Sequence, residues 1–160
     1  MFLVKGKREE YFMRKALELA KKALKEDEVP VGCVIVYKDK IIAQAHNQVE
    51  RLKDSTAHAE MIAITQAEGF LKSKWLKDCS VYVTIEPCFM CATALGLARV
   101  KEVFFGAYQL KIGGFGSLVD INKFKVFPQI KVGASILEEE SKVLIQEFFR
   151  RRRLKEWDGL

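Results

Sequence analysis

Ser80-Val81-Tyr82-Val83-Thr84-Ile85-Glu86-Pro87-Cys88-Phe89-Met90-Cys91 changes character in its middle. Ser80 to Ile85 is short, apolar and rich in β-branched and aromatic residues, so it reads as a strand. Pro87 suits the first turn of a helix, here one running to about Ala98, because its fixed φ and missing N–H cost nothing there. A strand that passes straight into a helix is half of a crossover unit, and the next strand completes it. Glu102 to Gly106 reads as that strand, Ala107 to Ser117 with its three glycines as a loop, and Lys131 to Ser135 as a last strand. Leu137, Leu144, Ile145 and Phe148 then line one face of a terminal helix.

Upstream, His58 to Phe70 has helical composition, with Gly69 at its end. Asn47 to Ala57 is polar and reads as a loop. Val31 to Tyr37 and Ile41 to His46 form a hairpin around Lys38-Asp39-Lys40. From Glu9 to Glu26, Phe12, Ala16, Leu19, Ala20, Ala23 and Leu24 recur at helical spacing, with lysines on the other face and Pro30 as the stop. Alternating elements predict an α/β fold: three layers, α/β/α, around a mixed five-stranded sheet with parallel crossovers. The 160 residues, 49% apolar, fit a single domain over residues 1–160.

The formal net charge of +6 suggests a polyanionic partner. Met1-Phe2-Leu3-Val4-Lys5-Gly6-Lys7 is too short an apolar run for a secretory segment. No stretch of about 18 apolar residues exists, so no membrane span is expected. The expected compartment is the cytoplasm, where cysteines bind metal or do redox chemistry rather than form disulfides.

His58-Ala59-Glu60 and Pro87-Cys88-Phe89-Met90-Cys91 carry the chemistry, and each group opens a predicted helix. Cys88 and Cys91, three apart, share a helical face. Two thiolates and an imidazole are three ligands for tetrahedral zinc, which leaves a position for water as catalytic sites do. Helix N-termini favour the thiolate form. Glu60 need not be a ligand, because a carboxylate beside an activated water can take its proton and pass it on. The bland alternatives are a thioredoxin-like redox pair and a structural site closed by Cys33 or Cys79. Both of those cysteines sit in predicted strands, where cysteine is usually a small buried hydrophobe. His-x-Glu combined with Pro-Cys-x-x-Cys resembles the signature of the zinc deaminases.

The chain resembles the bacterial tRNA-specific adenosine deaminases, within the cytidine deaminase-like superfamily. The likeness runs through Val29-Pro30-Val31-Gly32, Asn47, Thr56-Ala57-His58-Ala59-Glu60, Tyr82 to Cys88, Phe105-Gly106-Ala107, Gly116-Ser117 and Phe148-Phe149-Arg150. It implies one zinc per subunit on His58, Cys88 and Cys91, with Glu60 as proton shuttle. It implies a homodimer that converts the wobble adenosine of a tRNA anticodon stem-loop to inosine. It further implies that Asn47 hydrogen-bonds the flipped base, that Val31 and the backbone near Ala57 shape its pocket, and that Lys111 and the terminal helix, through Phe149, Arg151 and Arg152, meet the RNA. The chain departs from the usual pattern at Cys33 and Ser55, where little functional change is expected, and at Gln109, where the family usually has Asp. Two rivals stand beside this reading. One is a deaminase of free nucleotides or bases such as dCMP or guanine. The other is a non-enzymatic RNA-binding zinc module, for which Glu60 would have no use. Four consecutive arginines, Arg150 to Arg153, cannot all face one ligand on a helix, and a solvated helix end explains them equally well.

Overall fold

The computed structural model describes residues 6–158, and the apolar start at residues 1–5 lies outside them. The elements are α1 (Lys7–Lys25), β1 (Gly32–Tyr37), β2 (Lys40–His46), α2 (Val49–Leu52), α3 (Ala59–Leu71), β3 (Cys79–Ile85), α4 (Phe89–Leu97), β4 (Glu102–Ala107), a 3-10 turn at Ile121–Phe124, β5 (Lys131–Gly133) and α5 (Glu138–Asp158). The sheet order is β2-β1-β3-β4-β5. β1 runs antiparallel to β2 and β3, while β3, β4 and β5 are parallel, so the sheet is mixed.

Strand alternation sorts the core into two layers. Cys33, Ile35, Val81, Val83, Val103 and Phe105 point to one face, against Ala59, Ala63 and Ala67 of α3 and Ala92 and Leu95 of α4. Val34, Val36, Tyr82 and Phe104 point to the other, against Phe12, Met13, Ala16 and Leu17 of α1. Both faces are covered, which is why these strands read as continuous apolar runs. Alanines on α3 and α4 let those helices lie close to the sheet. On the opposite face α1 presses so near β1 that a Cβ on Gly32 would fall 1.9 Å from the Ala16 carbonyl oxygen.

The hairpin turn takes positive φ at Lys38 (47°) and Asp39 (60°), as a two-residue loop between twisted strands requires. Several helix ends differ from their sequence reading. α1 ends at Lys25 with Glu26 as its C-cap, in agreement with the expected end at Glu26, but the stop comes from Asp27, which turns the chain at φ 59°, before Pro30 is reached. α3 passes through Gly69 and ends when Lys72 goes left-handed at φ 51°. Pro87 lies just outside α4, whose N-cap is Cys88. α2 forms one turn inside the predicted loop 47–57. β5 is shorter than expected, since Ser135 and Leu137 take φ 60° and 52° on the way into α5.

Candidate metal centre and active site

The sheet delivers the reactive groups to two helix starts. His58 is the N-cap of α3, and Cys88 is the N-cap of α4 at the end of β3, with Cys91 one turn inside. His58 Nδ1 lies 3.6 Å from Cys88 Sγ and 3.5 Å from Cys91 Sγ. A tetrahedral zinc with bonds of about 2.3 Å to sulfur and about 2.0–2.1 Å to nitrogen separates those atoms by about 3.6 Å. Donor set and spacing therefore fit zinc. Cys33 and Cys79 are fully buried in β1 and β3 and stand outside the cluster, in line with their sequence reading.

The three donor groups shift in different directions. The Cys88 thiol is lowered to about 4, first by its hydrogen bond with Cys91, with His58 adding to the effect. Cys91 is pushed far up by the same bond and by burial. His58 is raised, chiefly by its bond to Cys88. Glu60, in the first turn of α3, is only 3% exposed, and burial raises its carboxyl. Its Oε2 accepts from the Cys91 thiol at 3.3 Å. His58 and Glu60, two apart, thus both reach the site, as the loose geometry of a helix start permits.

Above the cluster opens a cavity of about 390 Å³. His58, Glu60 and Cys88 line it, Val31 and Asn47 also line it, and Gln109 and Ile112 come from the loop after β4. Phe149 and Arg152 of α5 complete it. Three residues expected to touch substrate are not in this lining. Ala57 is buried beside it, and its carbonyl accepts from the Gln48 N–H at 3.0 Å. Lys111 is exposed on the loop that carries Gln109. Arg151 turns to Glu147, which it meets at 2.8 Å. Successive helical positions diverge, so Arg152 reaches the cavity while Arg151 cannot. Ser55, where little consequence was expected, does line the cavity.

Sequence reading missed two buried carboxylates. Glu86 accepts from the backbone N–H groups of Gln109 (3.3 Å), Phe115 (3.1 Å) and Ser117 (3.2 Å), and from the Ser117 hydroxyl. It thereby fixes the loop that carries Gln109. A Cβ on Gly113 would come within 2.2 Å of this carboxylate, so the close approach requires glycine. A charge closing an apolar strand, just before Pro87, was the available signal. Glu28 does similar work on the other wall.

A three-layer α/β/α fold with one imidazole and two thiolates at helix starts, under a cavity holding a buried glutamate, defines a zinc-dependent deaminase. The family described as cytidine and deoxycytidylate deaminase zinc-binding region matches residues 6–107. The chain is 47% identical over 145 residues to the tRNA-specific adenosine deaminase of Aquifex aeolicus, covering 90% of this chain and 95% of that protein. It is 43% identical over 148 residues to the tRNA-specific adenosine deaminase of Bacillus subtilis, covering 92% of each. A solved structure from a study of A-to-I editing by tRNA:A34 deaminases at the wobble position of transfer RNA superposes with a TM-score of 0.78 at 35% identity, over 84% of this chain and 98% of that one. The chain belongs to the tRNA-specific adenosine deaminases, a family of zinc-dependent hydrolases within the cytidine deaminase fold.

Proposed function

We propose that this enzyme hydrolyses the wobble adenosine of a tRNA anticodon loop to inosine and ammonia. The observation that carries the reading is Glu60, a carboxyl buried in the cavity beside the metal donors. His58, Cys88 and Cys91 hold the zinc. Bound there, zinc acts as a Lewis acid and makes a water nucleophilic near neutral pH. Burial raises the Glu60 carboxyl and favours its protonated form, while a bound cation favours the carboxylate, so the two influences oppose each other at a group that must both gain and release a proton. Glu60 takes a proton from the attacking water and gives it to adenine N1, which makes C6 electrophilic. The water oxygen bonds to C6, Glu60 passes that oxygen's remaining proton to the exocyclic amine, and the C6–N bond breaks to release ammonia. The base must leave its stack to enter the cavity, and that is cheapest in a single-stranded loop.

Asn47 hydrogen-bonds the base, Val31 and the Ala57 backbone bound its pocket, and Gln109 faces the neighbouring ribose. Phe149 and Arg152 meet the RNA at the cavity, with Lys111 and Arg151 as outlying phosphate contacts. No helix among the described residues is long and apolar enough to cross a membrane, and we place the enzyme in the cytoplasm with its tRNA. Exposed Phe89, Leu97, Leu110, Leu118, Phe124 and Val126 support a homodimer, while Phe104, Phe105 and Phe115 are spent on the core. Incubation with total tRNA, followed by inosine detection at the wobble position, tests the reading. Ammonia release from free nucleotides alone would overturn it in favour of a free-nucleotide deaminase.

The cavity residues give two expected results. Arg152→Ala weakens stem-loop binding and flattens its log–log salt dependence by about 0.7, one single-strand phosphate contact. Arg151→Ala, whose side chain is held by Glu147, has the smaller effect. Equal effects in filter-binding titrations would mean the helix end acts only as diffuse charge. At Gln109, a carboxylate would accept a charge-assisted bond from a ribose 2′-hydroxyl that DNA lacks. Gln109→Asp should therefore raise the ratio of RNA to DNA turnover on matched stem-loops by about fivefold, ~1 kcal/mol. An unchanged ratio would remove Gln109 from the ribose.

A further inference from the structure

Glu28 stands between α1 and β1, remote in sequence from the metal ligands, and it is 1% exposed. A carboxylate buried this completely must have its oxygens satisfied. Its Oε1 accepts from the Arg51 N–H at 2.7 Å, and its Oε2 from the Glu50 N–H at 3.1 Å. These are free donors of the first turn of α2, where the N-cap Gln48 makes no side-chain bond of its own. The third donor is the Asn47 side-chain nitrogen, 3.3 Å from Oε2. Asn47 in turn lines the cavity, and its backbone N–H donates to the Val31 carbonyl at 3.1 Å.

We infer that Glu28 is a positioning residue that locks the Asn47 amide in one orientation and so sets which hydrogen-bonding pattern this wall offers to a base. Donor and acceptor valence decides the orientation. An asparagine amide can turn over, exchanging donor for acceptor, and nothing in its shape resists the flip. A carboxylate that already takes two backbone N–H groups offers only acceptor sites. The Asn47 atom facing it must therefore be nitrogen. That leaves the amide oxygen and one N–H for the cavity, in a fixed sense. Purines differ in the order of donors and acceptors along their edges, so a locked amide discriminates where a flipping one would accept either. This inference rests on the proposed contact between Asn47 and the base.

Glu28→Gln keeps the shape and gives that position a donor, so Asn47 can turn over. The test is a cycle with Asn47→Ala, on the zinc-loaded full chain and a stem-loop carrying one target adenosine. Glu28→Gln should lower kcat/KM about tenfold, the scale of one lost or misdirected hydrogen bond, with zinc content unchanged. In the Asn47→Ala background the same substitution should change kcat/KM by less than about twofold, because its route of action is gone. A tenfold loss in both backgrounds would show that Glu28 acts through α2 or on the substrate directly, and would overturn the inference. A second readout needs no substrate. In ¹⁵N spectra of the zinc-loaded protein, the Asn47 side-chain amide should carry one slowly exchanging proton that is lost in Glu28→Gln. Unchanged Asn47 resonances would overturn the inference even if the stem-loop proved not to be the substrate. Inactivity of the unaltered enzyme on the stem-loop would instead count against the substrate alone.

Discussion

Glu60→Ala keeps its zinc and loses deamination by about 100- to 10,000-fold, the range a general acid–base group supplies. The metal cluster is complete without this residue, since His58, Cys88 and Cys91 are the three groups that meet. Glu60 touches the cluster only through the Cys91 sulfur. Glu60→Gln is the sharper variant, because it preserves volume and can still accept a hydrogen bond but cannot carry a proton from water to base. Both should bind the stem-loop about as well as the parent, so the loss falls on kcat. The stability consequence also has a definite sign. Burial raises the folded value of the Glu60 carboxyl above its unfolded one. In the metal-free chain its contribution is therefore fully present below the ordinary carboxyl range and is lost as pH rises through the folded value. Glu60→Gln should remove that decline from apo denaturation curves. Metal analysis beside single-turnover rates decides the main point. A zinc-loaded Glu60→Gln enzyme at near-normal rate would sink the proton-shuttle role.

The sheet and the metal site could be read from the sequence for one reason: each is written in local pattern. Residues 33 to 36 and 81 to 83 are apolar throughout because both faces of the sheet are covered. His58 and Cys88 sit at helix starts that composition alone marks. What escaped was set by tertiary contact. Asp27 and Lys72 end their helices by turning left-handed, which nothing in their own chemistry announces. Glu28 and Glu86 look like ordinary surface acids until the chain brings N–H groups from distant loops onto them. The arginine run shows the same limit. Its helical phase was legible and forbade a common target, yet only the fold shows that Arg152 reaches the cavity while Glu147 takes Arg150 and Arg151.

Cys91→Ser should abolish metal binding and activity together, with turnover falling by at least ~1000-fold, because the water-activating group is then gone. Cys91 is fully buried, and its sulfur meets both His58 and Glu60. Serine has the size but not the thiolate, and two remaining donors do not hold zinc against water. Folding reports the same event. A ligand that binds only the native state adds about 2.7 kcal/mol at a hundredfold excess over its Kd, so chelation should lower the Tm of the parent enzyme. The Tm of Cys91→Ser should be blind to both zinc and chelator. Cys33→Ala supplies the contrast. Cys33 is equally buried, but it lies in β1 outside the donor cluster. That variant should lose only packing, about 1 kcal/mol, and keep one zinc per chain. Loss of zinc from Cys33→Ala, or full zinc and turnover in Cys91→Ser, would mean that the ligand set is not the one drawn from His58, Cys88 and Cys91.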